Sequence, residues 1–390
     1  MNRHELTYIN PAPIAIDVDD EMSEEEVIKR VKFINDFTYE YISKILKLDL
    51  IAVRSVSNDP KRFKKTVKIV TENTDLPLIL CSLNPEVVEA GLSILDGSKP
   101  LIYAATKENW KEMAGLALTH KCPLTVFSPS DLKMLISLAR ALLDYGIEDL
   151  ALDPGTFFGD GLRTSVDAFT MLRWKACNEG FELTQFPLVG TPITAWLTIN
   201  GSPADKAWWE ALTASTLLTR YANLLIMHSI EAWSLLPSVI WRFNLYTDPR
   251  KPVAVTPQLK LIRNPDAWSP LMVTGNFALT YYLVSGDMES AKIDCYLLVI
   301  DTEGIAVECA VPGKRFTPES IADLIKSFEC GKLVGHRILV IPGKAARLSG
   351  DIEDATGWRV LVGPPDSADI AKFTSKWNET IEELKLGKEE

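Results

Sequence analysis

Alternation constrains this chain more than any other feature: eight short apolar runs, each followed by a longer amphipathic run, fill residues 1–245. The apolar runs are 13–18, 50–55, 77–82, 101–105, 123–127, 150–153, 186–190 and 222–228. Continuous apolar runs of this length read as strands of a parallel sheet buried on both faces. The amphipathic runs read as helices at 23–46, from Pro60, from Pro85, and at 107–120, 130–145, 162–178, 204–220 and 231–243. Their starts carry physical signals. Ser23 with Glu26 makes a capping box, and Asp59-Pro60 and Asn84-Pro85 put proline at the first helical position. Eight strand–helix pairs in series predict a TIM (β/α)8 barrel.

Residues 246–270 break the pattern with five prolines and little periodicity, which predicts a linker. Alternation then resumes on a smaller plan. Strands are expected at 271–274, 295–301, 337–341 and 359–362, and helices at 276–290, 317–330, 344–354 and from 365, fading into a charged tail at 382–390. Residues 271–390 therefore read as a small doubly wound, Rossmann-like α/β domain.

Composition narrows the partners. Lys plus Arg is 41 against 52 Asp plus Glu, a net charge of −11, which does not suit tracking a polyphosphate backbone, so no nucleic-acid partner is expected. The six cysteines are widely spaced with no C-x-x-C pair, so neither a zinc nor an iron–sulfur site is visible. Nor do they form the framework of a secreted domain. The start has no apolar leader, and the longest uncharged stretch, 267–286, is broken by Pro270, Gly275 and Asn276. No membrane span and a reducing, cytoplasmic setting are expected.

In an open α/β sheet, ligands bind outside the carboxyl ends of the strands. Every such loop in 271–390 carries small residues: Thr274-Gly275-Asn276-Phe277, Asp301-Thr302-Glu303-Gly304, Pro342-Gly343-Lys344 and Gly363-Pro364-Pro365. Small residues let the backbone approach a flat ligand, although each glycine also reads simply as a turn residue. Neither G-x-G-x-x-G nor G-x-x-x-x-G-K-[ST] occurs. His336 precedes its strand, which suits a structural role. At the barrel mouth stand Asp17, Asp19, Asn58, Asp59, Asn84, Thr106, Asp153 and His228. Carboxylates and amides there could bind a polar heterocycle. Equally, Asp19, Asn58, Asp59 and Asn84 could cap helices, with His228 a core-edge residue. Trp208, Trp209, Trp233 and Trp241 lie on late helices and read as core, though on the surface they would suit an interface.

The run Val273-Thr274-Gly275-Asn276-Phe277-Ala278-Leu279-Thr280-Tyr281-Tyr282 resembles the start of the corrinoid domain of the corrinoid iron–sulfur protein large subunit, also called the gamma subunit of the acetyl-CoA decarbonylase/synthase complex. Asp301-Thr302-Glu303-Gly304, Ile341-Pro342-Gly343 with Ala346-Arg347-Leu348-Ser349-Gly350, and Val360-Leu361-Val362-Gly363-Pro364 resemble its later signatures in order. In the barrel, 78–82, 101–106, 152–156 and 243–249 also match, so the resemblance spans nearly the whole chain.

The resemblance implies a corrinoid (cobalamin) held base-off, consistent with the lack of the D-x-H-x-x-G loop. It implies cofactor contacts from Thr274, Asn276, Phe277, Leu279 and Thr280; from Thr302, Gly304, Cys309, Ala310, Gly313 and Lys314; and from Gly343, Ala346, Arg347, Leu348, Gly350, Gly363 and Pro364. Cys309 stands where a threonine is usual, and Pro312 where a small residue is. The cobalt, rather than a side chain, would be the nucleophile. It would take a methyl group from a methylated tetrahydropterin and pass it to acetyl-CoA synthase in the Wood–Ljungdahl pathway. Asp17, Asn58 and Asp153 are the candidate pterin contacts. Expected partners are a small, delta-type corrinoid protein subunit, acetyl-CoA synthase and a pterin methyltransferase. The chain would lack the family's N-terminal iron–sulfur domain and so carry no cluster. The alternatives are an enzyme that methylates its own corrinoid, and a non-catalytic assembly subunit.

Overall fold

A computed structural model describes residues 11–244 other than 96, and 252–381 other than 378 and 380. Two compact units emerge. Among the described residues the first takes in 11–39 and 45–244, and the second 40–44 and 252–381.

In the first unit the apolar runs form β1 (Ile14–Asp19), β2 (Leu50–Arg54), β3 (Leu78–Cys81), β4 (Leu101–Ala105), β5 (Leu124–Phe127), β6 (Leu150–Asp153), β7 (Val189–Gly190) and β8 (Leu224–Met227). All pair in parallel, in the order β6-β5-β4-β3-β2-β1-β8-β7. A parallel bridge from Leu152 to Leu188, just before β7, links the two ends, so the sheet curls into an eight-stranded barrel. Side chains alternate across it. Ala15, Ala52, Ile79, Ala151, Val189 and Ile226 pack together inside the barrel, and Ile14, Ile16 and Val18 point the other way, toward the helices. The expected helix starts hold: Ser23 and Glu26 cap each other, and Asp59 and Asn84 accept backbone N–H groups ahead of Pro60 and Pro85.

The helix expected over 23–46 is shorter. It ends at Asp36, and Tyr39–Tyr41 and Lys44–Leu46 form a hairpin. Aromatic and β-branched residues at 37–42 favour extended backbone. Ile42 (φ 49°) and Ser43 (φ 58°) make the two-residue turn in which both residues have positive φ. The tip counts with the second unit, where Ile42 packs against a hydrophobic cluster and Ser43 Oγ accepts from Thr256 N–H at 2.8 Å.

The second unit is a sheet of β9 (Gln258–Ile262), β10 (Leu271–Gly275), β11 (Cys295–Ile300), β12 (Ile338–Ile341) and β13 (Arg359–Val362), ordered β9-β11-β10-β12-β13. Only β9 is antiparallel. Leu271, Val273, Leu298, Leu339 and Ile341 build one core; Met272, Leu297, Val299, Ile338 and Val340 build another on the opposite face. The linker expected over 246–270 is corrected in part. Residues 246–251 lie outside the described residues, but Gln258–Ile262 is a paired edge strand with Ile262 fully buried. Pro257 and Pro265 flank it, where proline costs no ladder bond. The tail 382–390 and most of the 243–249 motif also lie outside the described residues. No helix among those described is long and apolar enough to cross a membrane.

Candidate functional sites

The interior of the barrel changes character toward the carboxyl ends of its strands. Two residues on from the inward-facing Ala15, Ala52, Ile79, Leu101, Ala151, Val189 and Ile226 stand Asp17, Arg54, Cys81, Tyr103, Asp153, Thr191 and His228. An apolar plug thus gives way to a polar layer at the face where barrel enzymes keep their chemistry.

Asp17 is the hub of one group. Fully buried, it accepts from Arg54 Nε at 3.0 Å and Arg30 Nη2 at 3.2 Å, and lies 2.6 Å from His228 Nδ1. Burial pushes its carboxyl up, but the His228 hydrogen bond and the charges of His228, Arg30 and Arg54 outweigh this and hold it below the ordinary range. Arg54 also bridges to Asp19 at 3.0 Å. The main chain of His228 is fixed as well. Its N–H donates to Glu210 at 2.5 Å, and its carbonyl accepts from Arg30. Trp196 packs on its ring with centroids 4.4 Å apart. Glu210, fully buried, takes the Ser229 N–H at 2.8 Å too, and burial raises its carboxyl to about 7 despite these bonds.

Asp153 centres the second group. The Tyr103 hydroxyl donates to it at 2.7 Å, Gly155 N–H at 2.7 Å, and the Thr191 hydroxyl lies 3.5 Å away. Burial lifts the Asp153 carboxyl to about 6, and burial with the Asp153 charge raises the Tyr103 hydroxyl.

Of the candidate pterin contacts, Asp17 and Asp153 thus lie inside the mouth. Asn58 is exposed at the rim, accepting from Asn84 Nδ2 at 3.0 Å. Asp19, Asp59 and Asn84 also accept backbone N–H groups at the start of the following segment, and Thr106 bonds to Asn109. Sequence reasoning undervalued His228. Its only signal was a histidine closing an apolar run.

The second unit has a cleft of about 370 Å³ at the carboxyl ends of its strands. It opens where the strand order reverses, between β10 and β12, the usual ligand position in open α/β sheets. Thr274, Thr280, Gly363 and Pro364 line it, with Leu283, Pro342 and Lys344. Other expected cofactor residues hold the loops. Asn276 Oδ1 accepts the N–H groups of Thr302 (2.9 Å) and Gly304 (3.0 Å), while its amide donates to Asp301. This clamp ties the ends of β10 and β11 together. A Cβ on Gly343 would lie 2.7 Å from Pro365 N and 2.8 Å from Gly363 O, so close backbone approach requires glycine there.

Phe277 is half-buried and caps the helix Ala278–Ser290, on which Leu279 is exposed. On the β11 loop Cys309, Gly313 and Lys314 are exposed and Ala310 is buried. After β12, Ala346, Arg347 and Gly350 are exposed and Leu348 half-buried. His336 is buried with Nε2 3.0 Å from Ser269 O, as a structural histidine would be.

The tryptophans correct an expectation. Trp208 (51% exposed), Trp233 (50%) and Trp241 (41%) are on the surface rather than in the core, and Trp209 is half-buried against Trp208 and Phe158. Trp174, on the neighbouring helix Leu162–Asn178, is 55% exposed. Apolar packing could as well have drawn these rings inward, and sequence spacing alone does not decide between the two.

Residues 1–374 match the family described as CO dehydrogenase/acetyl-CoA synthase delta subunit. The chain is 42% identical over 377 residues to acetyl-CoA decarbonylase/synthase complex subunit gamma 1 of Methanosarcina mazei, covering 96% of this chain and 80% of that protein. It is 41% identical over 374 residues to subunit gamma of Methanothermobacter thermautotrophicus, covering 96% and 81%. A dihydropteroate synthase structure from Xanthomonas albilineans overlaps 61% of the chain at 18% identity, with a TM-score of 0.44, too loosely to bear on function.

Proposed function

The chain belongs to the CO dehydrogenase/acetyl-CoA synthase delta subunit family, and on that premise we propose that it is a methyl carrier, holding a corrinoid at the cleft of its second unit. Its curated relatives are gamma subunits of the acetyl-CoA decarbonylase/synthase complex. The observation that carries the reading is the cleft itself. It opens at the reversal of strand order and is lined by Thr274, Thr280, Gly363 and Pro364. The residues present suit a large flat ring. Pro342, Gly363 and Pro364 bring backbone to one wall of the cleft, while Leu283, Val284, Met288 and Phe373 give it an apolar wall. No histidine follows any strand of this sheet, so the chain itself would offer a bound corrinoid no imidazole ligand. When bound, the corrinoid supplies a cobalt centre that accepts and releases a methyl group. Thr274 and Thr280 would hold it with their hydroxyls, and the Asn276 clamp would keep the loops at the ends of β10 and β11 in register.

The barrel mouth is assigned to the methyl donor, a methylated tetrahydropterin. Asp153 there presents a buried carboxylate to the amide and amino groups of such a ring. Acetyl-CoA synthase is the assigned recipient.

A second reading, an assembly subunit that scaffolds a small corrinoid subunit, is favoured by the exposed Trp174, Trp208, Trp233 and Trp241. Aromatic side chains of this kind are enriched at the centres of interfaces. Equilibrium dialysis of the full chain against cobalamin separates the two. The carrier binds it, and Thr280→Trp, which fills the cleft from its rim, lowers affinity by at least about tenfold, or roughly 1.4 kcal/mol. A chain that takes up no cobalamin is the scaffold.

A further inference from the structure

The group around Asp17 fixes one imidazole more completely than a core-edge histidine requires. The Nδ1 of His228 lies 2.6 Å from a carboxylate that is fully buried and kept ionised by Arg30 and Arg54. Its N–H is held by Glu210, its carbonyl by Arg30, and its ring face by Trp196. The ring is thus held at Nδ1 and on one face, and the main chain that carries it is held on both sides. Nε2 has no hydrogen-bond partner among the described residues, and the side chain keeps 21% of its surface open. An aspartate on Nδ1 sets the tautomer and leaves Nε2 to exchange a proton with whatever occupies the mouth.

We propose that His228 is the proton donor of the barrel site, with Asp17 as its positioning residue. This rests on the reading of the mouth as the place of the methylated pterin. Methyl transfer from a tertiary ring amine breaks a C–N bond whose electron pair stays on nitrogen. The methyl carbon bonds to the electron pair of its acceptor, a low-valent metal nucleophile. The ring nitrogen takes the proton from His228 Nε2. The imidazolium becomes a neutral imidazole that keeps its Nδ1–H on Asp17, and solvent restores the lost proton. Without that proton the departing group is a strongly basic amide anion.

Among the described residues, charged groups reach His228 from four elements. Asp17 comes from β1, Arg30 from the helix Glu24–Asp36, Arg54 from β2, and Glu210 from the helix Pro203–Thr219. The carboxylate at hydrogen-bond distance from the ring is Asp17, at 2.6 Å, while Glu210 holds the main-chain N–H.

Titration calorimetry of the full chain with a synthetic N5-methyltetrahydropterin, in buffers of differing ionisation enthalpy, counts protons taken up on binding. The wild-type chain binds with net proton uptake. His228→Gln binds within about threefold of the wild type but without that uptake, and it slows methyl transfer by about 100-fold or more. With only four histidines in the chain, imidazole NMR of the wild type gives an independent readout. The His228 signal moves on adding the pterin, while those of His120 and His336 stay. Binding with undiminished proton uptake in His228→Gln, or an unmoved His228 signal in the bound wild type, overturns the donor alone. Absence of any binding by the wild-type chain removes the pterin site and the donor with it.

Discussion

Glu210 illustrates how much a single buried carboxyl can do in this barrel. It ties the helix Pro203–Thr219 to the end of β8 through the N–H groups of His228 and Ser229. Burial raises it from 4.5 to about 7. The folded chain therefore holds that proton more tightly than the unfolded chain. Its contribution to stability is greatest below pH 4.5 and declines as pH rises to about 7. The change is of the order of 3 kcal/mol. Asp153, raised from 3.8 to about 6, acts with the same sign, whereas Asp17, held low, contributes in the opposite sense and only in stronger acid. Urea unfolding at pH 5 and pH 8 should show the barrel transition moving to lower urea at the higher pH. In Glu210→Gln that movement should shrink. An equal movement in the variant would mean that Glu210 does not titrate in this range.

At the scale of elements, the turn after β6 shows what holds the mouth in shape. Gly155 has φ +92°, and a Cβ there would lie 2.9 Å from the backbone of Pro129. Gly155→Ala should cost at least about 1–3 kcal/mol in thermal or urea unfolding and loosen the N–H bond to Asp153. An alanine variant of unchanged stability would show that the turn relaxes without penalty. The barrel strands were legible in the sequence because each is buried on both faces and so reads as a continuous apolar run. β9 was not. As an edge strand it carries Gln258 and Lys260 between its apolar residues, and five prolines around it suggested a linker. The hairpin at 39–46 hid behind a helix start strong enough to carry the reading past Asp36. Among site residues, glycines marked the strand ends of the second unit. Which of them face the cleft and which face one another, as Gly343 and Gly363 do, depends on loops distant in sequence. The Asp17–His228 pair joins residues 211 positions apart. Only closure of the barrel brings β1 beside β8.

The molecule as a whole repeats one principle in two units: parallel strands with a polar or cleft-bearing face at their carboxyl ends. On the proposed function, one face would take the methyl donor and the other the group that carries the methyl. The outer helices of the barrel carry the exposed Trp174, Trp208, Trp233 and Trp241. Replacing Trp208, Trp233 and Trp241 together by alanine should lower the thermal transition but keep it a single cooperative one, since these rings are about half exposed. It should weaken assembly with the small subunit by at least about 100-fold in analytical ultracentrifugation, as loss of interface aromatics does. Unchanged assembly would assign the aromatic surface another role. The proposed function has this chain load a methyl group onto a corrinoid that it holds itself. Its most direct test is anaerobic visible spectroscopy of the cobalamin-loaded full chain after strong chemical reduction. Adding N5-methyltetrahydropterin should replace the Co(I) absorption with that of methyl-Co(III), in proportion to the corrinoid bound. A chain that binds no corrinoid, or a Co(I) spectrum that persists with the pterin in excess, would contradict it.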